Sequence, residues 1–353
     1  MIRRPTIDDV ARRAGVSKGA VSFALNGRPG VAPATRERIL AVADQIGWTP
    51  SHRGRALAAR RALAVGLVFA RPPETLGADP FFPSFIAGVE AALSPRGQSL
   101  VLQVVGDRER ETEGYRRFAA DGRVDGVFLT DLRVGDQRPA LLREIALPAV
   151  LIAPFCTDPA VACVSVDDRP GIRAAVEHLI GLGHRRIAHV AGPEEFVHGV
   201  SRREAWAGTL AAAGLDATLL VSSDFSAASG AAATATLLDL ADPPTAIVYA
   251  NDLMAIAGTA TATGRGLAVP DDLSVTGFDD TEVAAHLTPA LTTVRTDPFG
   301  WGRAAADRLI ALVEGTPANN PDLPPPRLVI RGSTAPPPQP PAGRPTGTKR
   351  SHR

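Results

Sequence analysis

From residue 62 onward, short apolar runs alternate with stretches of helical periodicity, and this alternation restricts the fold more than any other feature of the chain. The runs are ALAVGLVFA (62–70), SLVLQVV (99–105), VDGVFLT (124–130), LPAVLIA (147–153), RIAHVAG (186–192), TAIVYA (245–250) and LSVTGF (273–278). Apolar strands separated by amphipathic helices of ordinary length build βαβ units, so the sheets are parallel and covered by helices on both faces. The alternation extends to about residue 331, too long for one small sheet, and two α/β lobes are predicted.

The first 61 residues read differently. Thr6 can cap a helix with Asp9 three residues on, and Ile7, Val10, Ala11 and Ala14 fall on one face. Gly15 and Val16 interrupt it. Ser17 caps a second helix to Asn26, with Val21 and Leu25 inward and Lys18, Gly19, Ser22 and Phe23 outward. A third runs from about Pro33 to Ile46, with Ile39, Leu40, Val42, Ala43 and Ile46 as its apolar stripe, and Trp48 is expected to fold back onto this small core. Helix, glycine-containing turn, helix is the helix-turn-helix pattern. Charge agrees: residues 1–61 hold twelve Lys/Arg against four Asp/Glu, while residues 62–334 carry a net of about −11. Only a basic head on an acidic body is suited to approach a polyanion.

Other readings are weaker. No apolar run reaches the ~18 residues of a membrane span, and the charged N-terminus does not resemble a secretory leader, so a cytoplasmic, reduced protein is expected. Two cysteines cannot staple a chain of 353 residues, and Cys156 and Cys163 are predicted to be reduced structural thiols. Gly15-Val16-Ser17-Lys18-Gly19 matches the nucleophile-elbow spacing, but a helix precedes it where a strand is required. His178, His184 and His189 straddle a helix end, a turn and a strand, so a shared metal is not expected. No nucleotide or metal motif implies a cofactor, and nothing argues for catalysis.

In its motifs the chain resembles the LacI/GalR (lac-repressor-like) family of bacterial transcription regulators. The head carries TIDDVARRAGVSKGAVSFALNG and VAPATRERILAVADQIGWTPS, and the body DPFF, VDG, AAVEHLIGLGHRRIAHVAGP, AND, VPDDLSVTGFDD and LTTVR, in family order over residues 5 to about 331. The resemblance implies an all-α helix-turn-helix head at 1–49, a hinge helix or linker at 50–61, and an α/β two-lobed periplasmic-binding-protein-like body at 62–331. It places lobe one at about 62–164 and 295–331 and lobe two at about 165–294. A disordered, Pro-rich basic tail follows at 335–353. The implied protein is a homodimer that binds a pseudo-palindromic DNA operator and represses carbohydrate genes under control of a small sugar-like effector.

Residue by residue, Lys18 and Gly19 match the positions that choose operator bases, and Phe23 stands where the family usually has a guanine-reading arginine. Phenylalanine offers only apolar contact, for instance to a thymine methyl. Thr6, through its own amide, and Ser17, Ser22, Asn26 and Arg36 are expected to meet phosphates. Ala56 and Leu57 match a minor-groove wedge, although Arg53 and Gly54 depart from the hinge pattern. Phe82, Arg202, Phe225, Asn251 and Asp279 match effector contacts, in the cleft expected between the lobes at the strand C-termini. For Phe82 the plain alternative is core packing, and for Asp279 a helix N-cap. Ala153 lacks a carboxylate that several sugar-binding relatives carry. Two further function classes share parts of the pattern: a solute-binding sensor without operator function, which would lack the basic head, and a sugar-processing enzyme, which would need an acid–base pair.

Overall fold

The computed structural model describes residues 5–25, 29–49, 61–71, 77, 79–156 and 161–338. Asn26, Arg53, Gly54, Ala56, Leu57 and most of the C-terminal tail, named above, lie outside them.

Three helices form the head: α1 (Ile7–Ala14), α2 (Lys18–Leu25) and α3 (Pro33–Gln45). They close on a core of Val10, Ala11, Ala14, Val21, Ala24, Ile39 and Ala43, with Trp48 folded against it. Small residues let three short helices approach closely. Helix α1 opens on the anticipated capping box: the Asp9 carboxylate accepts from the Thr6 amide (3.0 Å) and hydroxyl (2.8 Å). It stops at Gly15, whose φ of 65° is left-handed. Leu40 departs from the expected stripe. It lies one residue, and thus about 100° of helical turn, beyond buried Ile39, and is 44% exposed.

Lobe one is a five-stranded parallel sheet in the order β2-β1-β3-β4-β5, made of β1 (Ala64–Phe69), β2 (Ser99–Val104), β3 (Val127–Leu129), β4 (Ala149–Ala153) and β5 (Cys163–Ser165). Helices α4 (Phe81–Leu93), α5 (Arg108–Ala120) and α6 (Arg138–Glu144) connect its strands. Helix α4 begins at Phe81 and carries Pro83 in its first turn, where a proline needs no amide partner. Lobe two is a parallel sheet in the order β7-β6-β8-β9, made of β6 (Ile187–Ala191), β7 (Leu220–Ser222), β8 (Ala246–Tyr249) and β9 (Ser274–Thr276). Its helices are α7 (Arg169–Leu182), α8 (Val197–Ala212), α9 (Ala227–Leu238) and α10 (Asp252–Gly264). Strands β5 and β7, three residues each, are not among the apolar runs read from the sequence.

The chain then returns to lobe one as α11 (Pro298–Glu314), which lies against α4. Two glycines permit the close crossing: a Cβ on Gly88 would fall 2.0 Å from the Phe299 carbonyl oxygen, and one on Gly302 would fall 2.1 Å from that of Phe85. The return is shorter than the 295–331 expected for lobe one. Strand β11 (Arg327–Val329) pairs antiparallel with β10 (Thr293–Arg295), and Leu328 packs on the lobe-two core. The Ser333 hydroxyl donates to the Val275 carbonyl at 2.6 Å, so the segment after α11 ends on lobe two.

The cysteines also depart from expectation. Cys156 and Cys163 are joined in a disulfide, with Cα atoms 6.1 Å apart. Cys163 opens β5 and faces Leu151 in the parallel β4–β5 pair, whereas Cys156 follows the end of β4, so the chain leaving β4 comes back toward the start of β5 for the two to meet. Spacing in sequence carries no trace of that pairing.

Candidate functional site: an exposed helix and a cleft between two lobes

The head presents one face of α2. Val21 and Ala24 point into the core, while Ser17, Lys18, Gly19 and Phe23 are exposed and Ser22 is half-buried. The Ser17 hydroxyl accepts from the Ala20 amide at 3.1 Å and so starts the helix. The Lys18 ammonium lies 2.6 Å from Asp8, an exposed pair of the kind worth at most about 1 kcal/mol and easily exchanged for a phosphate or base. Phe23 is 41% exposed, so core packing does not account for it. Arg36 is half-buried on α3. The Thr6 amide, expected to meet a phosphate, is instead donated to Asp9.

Between the lobes lies a cavity of about 750 Å³, including the space open to solvent, at the C-terminal ends of the strands. Phe82, Arg202, Phe225, Asn251 and Asp279 all line it, although they span nearly 200 positions of sequence. Phe82 is buried edge-on against Phe69 at 4.7 Å, so core packing and cavity lining are both true of it. Phe225 adopts a φ of 69° and is seated against Gly192, where a Cβ would lie 2.1 Å from its Cζ. Asn251 is committed within the fold. Its amide nitrogen donates to the Phe225 carbonyl and its oxygen accepts from the Met254 amide, both at 2.9 Å, so it caps α10 and fixes the Phe225 turn. Asp279 caps no helix; the 3-10 turn that follows starts after Thr281.

Arg202 is held by Asp168 (2.7 Å) and by the Ala250 carbonyl (2.6 Å), its guanidinium 3.9 Å over the Phe278 ring. Sequence reasoning missed several neighbours. Arg71 binds Asp131 at 2.7 Å and Asp79 at 3.2 Å, and reaches across the cleft to lie 5.0 Å over the Phe196 ring. His198 is stacked between Phe196 and Phe225, at 5.4 and 5.5 Å. Phe81 and Trp301 extend the aromatic wall from lobe one. Asp79 lies inside the DPFF motif and could have been read there; Arg71, Asp131 and Trp301 carry no local signal. The lobes also touch at the mouth: the Val197 amide donates to the Leu132 carbonyl (2.8 Å) and the Val134 amide to that of Glu195 (2.9 Å).

Four carboxylates thus face two guanidiniums across the cleft. Burial raises Asp79 and Asp168 above the ordinary carboxylate range despite their arginines. Asp279 is raised well above it by burial and by nearby Asp252. His198 is pushed down to about 3 by burial and by Arg202. One oxygen of Asp168 is buried with no protein partner. Such a lining favours a ligand that brings many hydrogen-bond donors and no negative charge.

A basic helix-turn-helix head on a two-lobed body with a polar and aromatic cleft defines a DNA-binding regulator. Residues 6–51 match the family described as bacterial regulatory proteins, lacI family, and residues 176–334 match the periplasmic binding protein-like domain. The chain is 38% identical to the HTH-type transcriptional regulator CelR of Thermobifida fusca, covering 89% of this chain and 93% of that one. It is 35% identical to the regulator MalR of Streptomyces coelicolor, over 93% and 96% of the two chains. Among solved structures, a CelR–cellobiose complex superposes with a TM-score of 0.71 at 36% identity, covering 94% of this chain and all of that one. The lac repressor dimer bound to operator and the anti-inducer ONPF gives 0.82 at 30% identity, with the same coverage. The chain belongs to the lacI family of bacterial regulatory proteins and is a DNA-binding transcriptional regulator, not an enzyme. Among the described residues, no helix is long and apolar enough to cross a membrane.

Proposed function

We propose that this regulator is a cytoplasmic repressor of carbohydrate uptake or catabolism genes, binding a pseudo-palindromic operator as a homodimer and answering to an uncharged saccharide in the inter-lobe cleft. The observation that carries this reading is the cleft lining: aromatic faces from both lobes alternate with carboxylates and arginines, which suits a ring with many hydroxyls. The CelR structure was solved with cellobiose, which agrees. On the DNA side, Lys18 and Phe23 would read bases, with Gly19 leaving room. Ser17, Ser22, Asn26 and Arg36 would position the backbone, and Ala56 and Leu57 would wedge the minor groove. Leu102 and Val104, 47% and 45% exposed on edge strand β2, support self-association. Closing or opening the cleft would change how two heads are spaced, a coupling typically worth ~1–3 kcal/mol.

Selection of genomic fragments by the purified protein, with and without cellobiose, tests the proposal. A two-fold symmetric site beside sugar-uptake or glycosidase genes, with occupancy altered by the sugar, is the expected result. No enrichment at low salt in either condition would overturn the operator assignment and return the chain to the solute-binding alternative. Unfolding followed with cellobiose or with glucose 6-phosphate separates neutral from anionic ligands: only the former should raise the midpoint.

A further inference from the structure

We propose that Cys156 and Cys163 form a reversible thiol–disulfide site that sets how firmly one wall of the inter-lobe cleft is held. The bond joins the chain leaving β4 to the first residue of β5. These two strands end in cleft-lining residues, Ile152 and Pro154 on one and Val166 and Asp168 beyond the other. They are tied there by the Val166 amide donating to the Ala153 carbonyl (2.8 Å) and the Ser165 hydroxyl donating to that of Pro154 (3.1 Å). The same stretch carries the chain into lobe two: Asp168 binds Arg202, and the Arg169 guanidinium lies 5.5 Å over the Phe155 ring. The covalent bond therefore closes a ring whose two ends flank both the cleft wall and a lobe crossing.

The sulfurs differ in access. Cys163 is buried, whereas Cys156 is half-buried. A low-molecular-weight thiolate can attack the Cys156 sulfur, releasing Cys163 as the thiolate, which takes up a proton. A second thiol then resolves the mixed disulfide, giving two cysteine thiols and one small-molecule disulfide; oxidation is the reverse exchange. Strand β5 does not depend on the bond, because it pairs with β4 and the Cys163 amide donates to Asn320 at 3.0 Å. Reduction thus loosens the wall without unfolding the lobe.

The test uses the full chain equilibrated across oxidised-to-reduced glutathione ratios. Differential alkylation and mass spectrometry should show one reversible transition between the two-thiol and disulfide forms. Amide hydrogen exchange in peptides covering 147–156 and 161–168 should be about tenfold faster in the reduced form, with 246–249 unchanged. Cys156→Ser, at the half-buried position, should exchange like the reduced protein at every ratio. Thiols that stay free throughout, equal exchange in the two forms, or a Cys156→Ser protein that still responds to the ratio would each overturn the proposal.

Discussion

The head and the cleft solve recognition in opposite ways. In the head the candidate base contacts Lys18, Gly19 and Phe23 lie on one short helix, exposed, and largely independent of the seven-residue core beneath them. In the cleft the lining comes from segments between Arg71 and Trp301, mostly buried and mutually bonded, so each side chain holds its neighbours as well as any ligand. Altering the head should therefore change binding with little effect on folding. Altering the cleft should change both.

The sharpest way to break that contrast is Arg202→Ala. It leaves Asp168 buried without its partner and removes the contact to the Ala250 carbonyl. Breaking a buried pair costs about 3–5 kcal/mol. Urea unfolding should show a loss of that size in the body, and a loss under 1 kcal/mol would mean that the cleft tolerates editing as the head does.

Acid should act next most strongly, and on lobe two. His189 is buried, stacked on Trp206 at 5.5 Å, its Nδ1 2.8 Å from the Val248 carbonyl, and burial lowers it to about 4; His198 falls to about 3. Both are held below the ordinary value of 6.5, so the fold prefers their neutral forms. Their contribution is complete above pH 6.5 and is lost as pH falls through 6.5 toward those values, at about 1.4 kcal/mol per pH unit for each. The carboxylates raised by burial act with opposite sign, so the informative quantity is the difference between wild type and His198→Phe. The variant should lose about 1 kcal/mol less per unit between pH 6.5 and 5. Identical slopes would remove His198 from the account.

Gly192→Ala places a methyl on the Phe225 ring, an overpacking that costs about 1–3 kcal/mol and should weaken saccharide binding, read by calorimetry, while leaving DNA binding in place. Asp9→Ala removes the capping box and should cost the head about 1 kcal/mol, with no change in the cleft. Phe23→Ala is the smallest in stability, within about ±0.5 kcal/mol, yet it should shift which operator sequences are selected. A Phe23→Ala protein that unfolded several degrees earlier would show that this ring belongs to the core after all.

Much of the head was legible because its information is local. Capping residues, a glycine stop and an apolar stripe act within a few positions, and among the described residues Leu40 departs from that reading. The cleft was legible in part. Its five expected residues do converge, but family likeness, not periodicity, located them. Their partners Arg71, Asp131 and Trp301 stayed invisible because nothing in their neighbourhoods distinguishes them from other buried or surface side chains.

Two features show what tertiary structure alone decided. Cys156 meets Cys163 because the chain leaving β4 comes back toward the start of its parallel neighbour β5, and the chain beyond residue 326 joins lobe two because β10 offers an edge for β11. The order of the head's helices, the charge division and the outward face of α2 follow from short-range preferences and burial pattern, which any window of sequence carries. Which strand edge accepts a late segment, which carboxylate faces which guanidinium, and how far burial shifts each titration depend on distances between residues of different elements, tens of positions apart. Only the packed chain sets those distances.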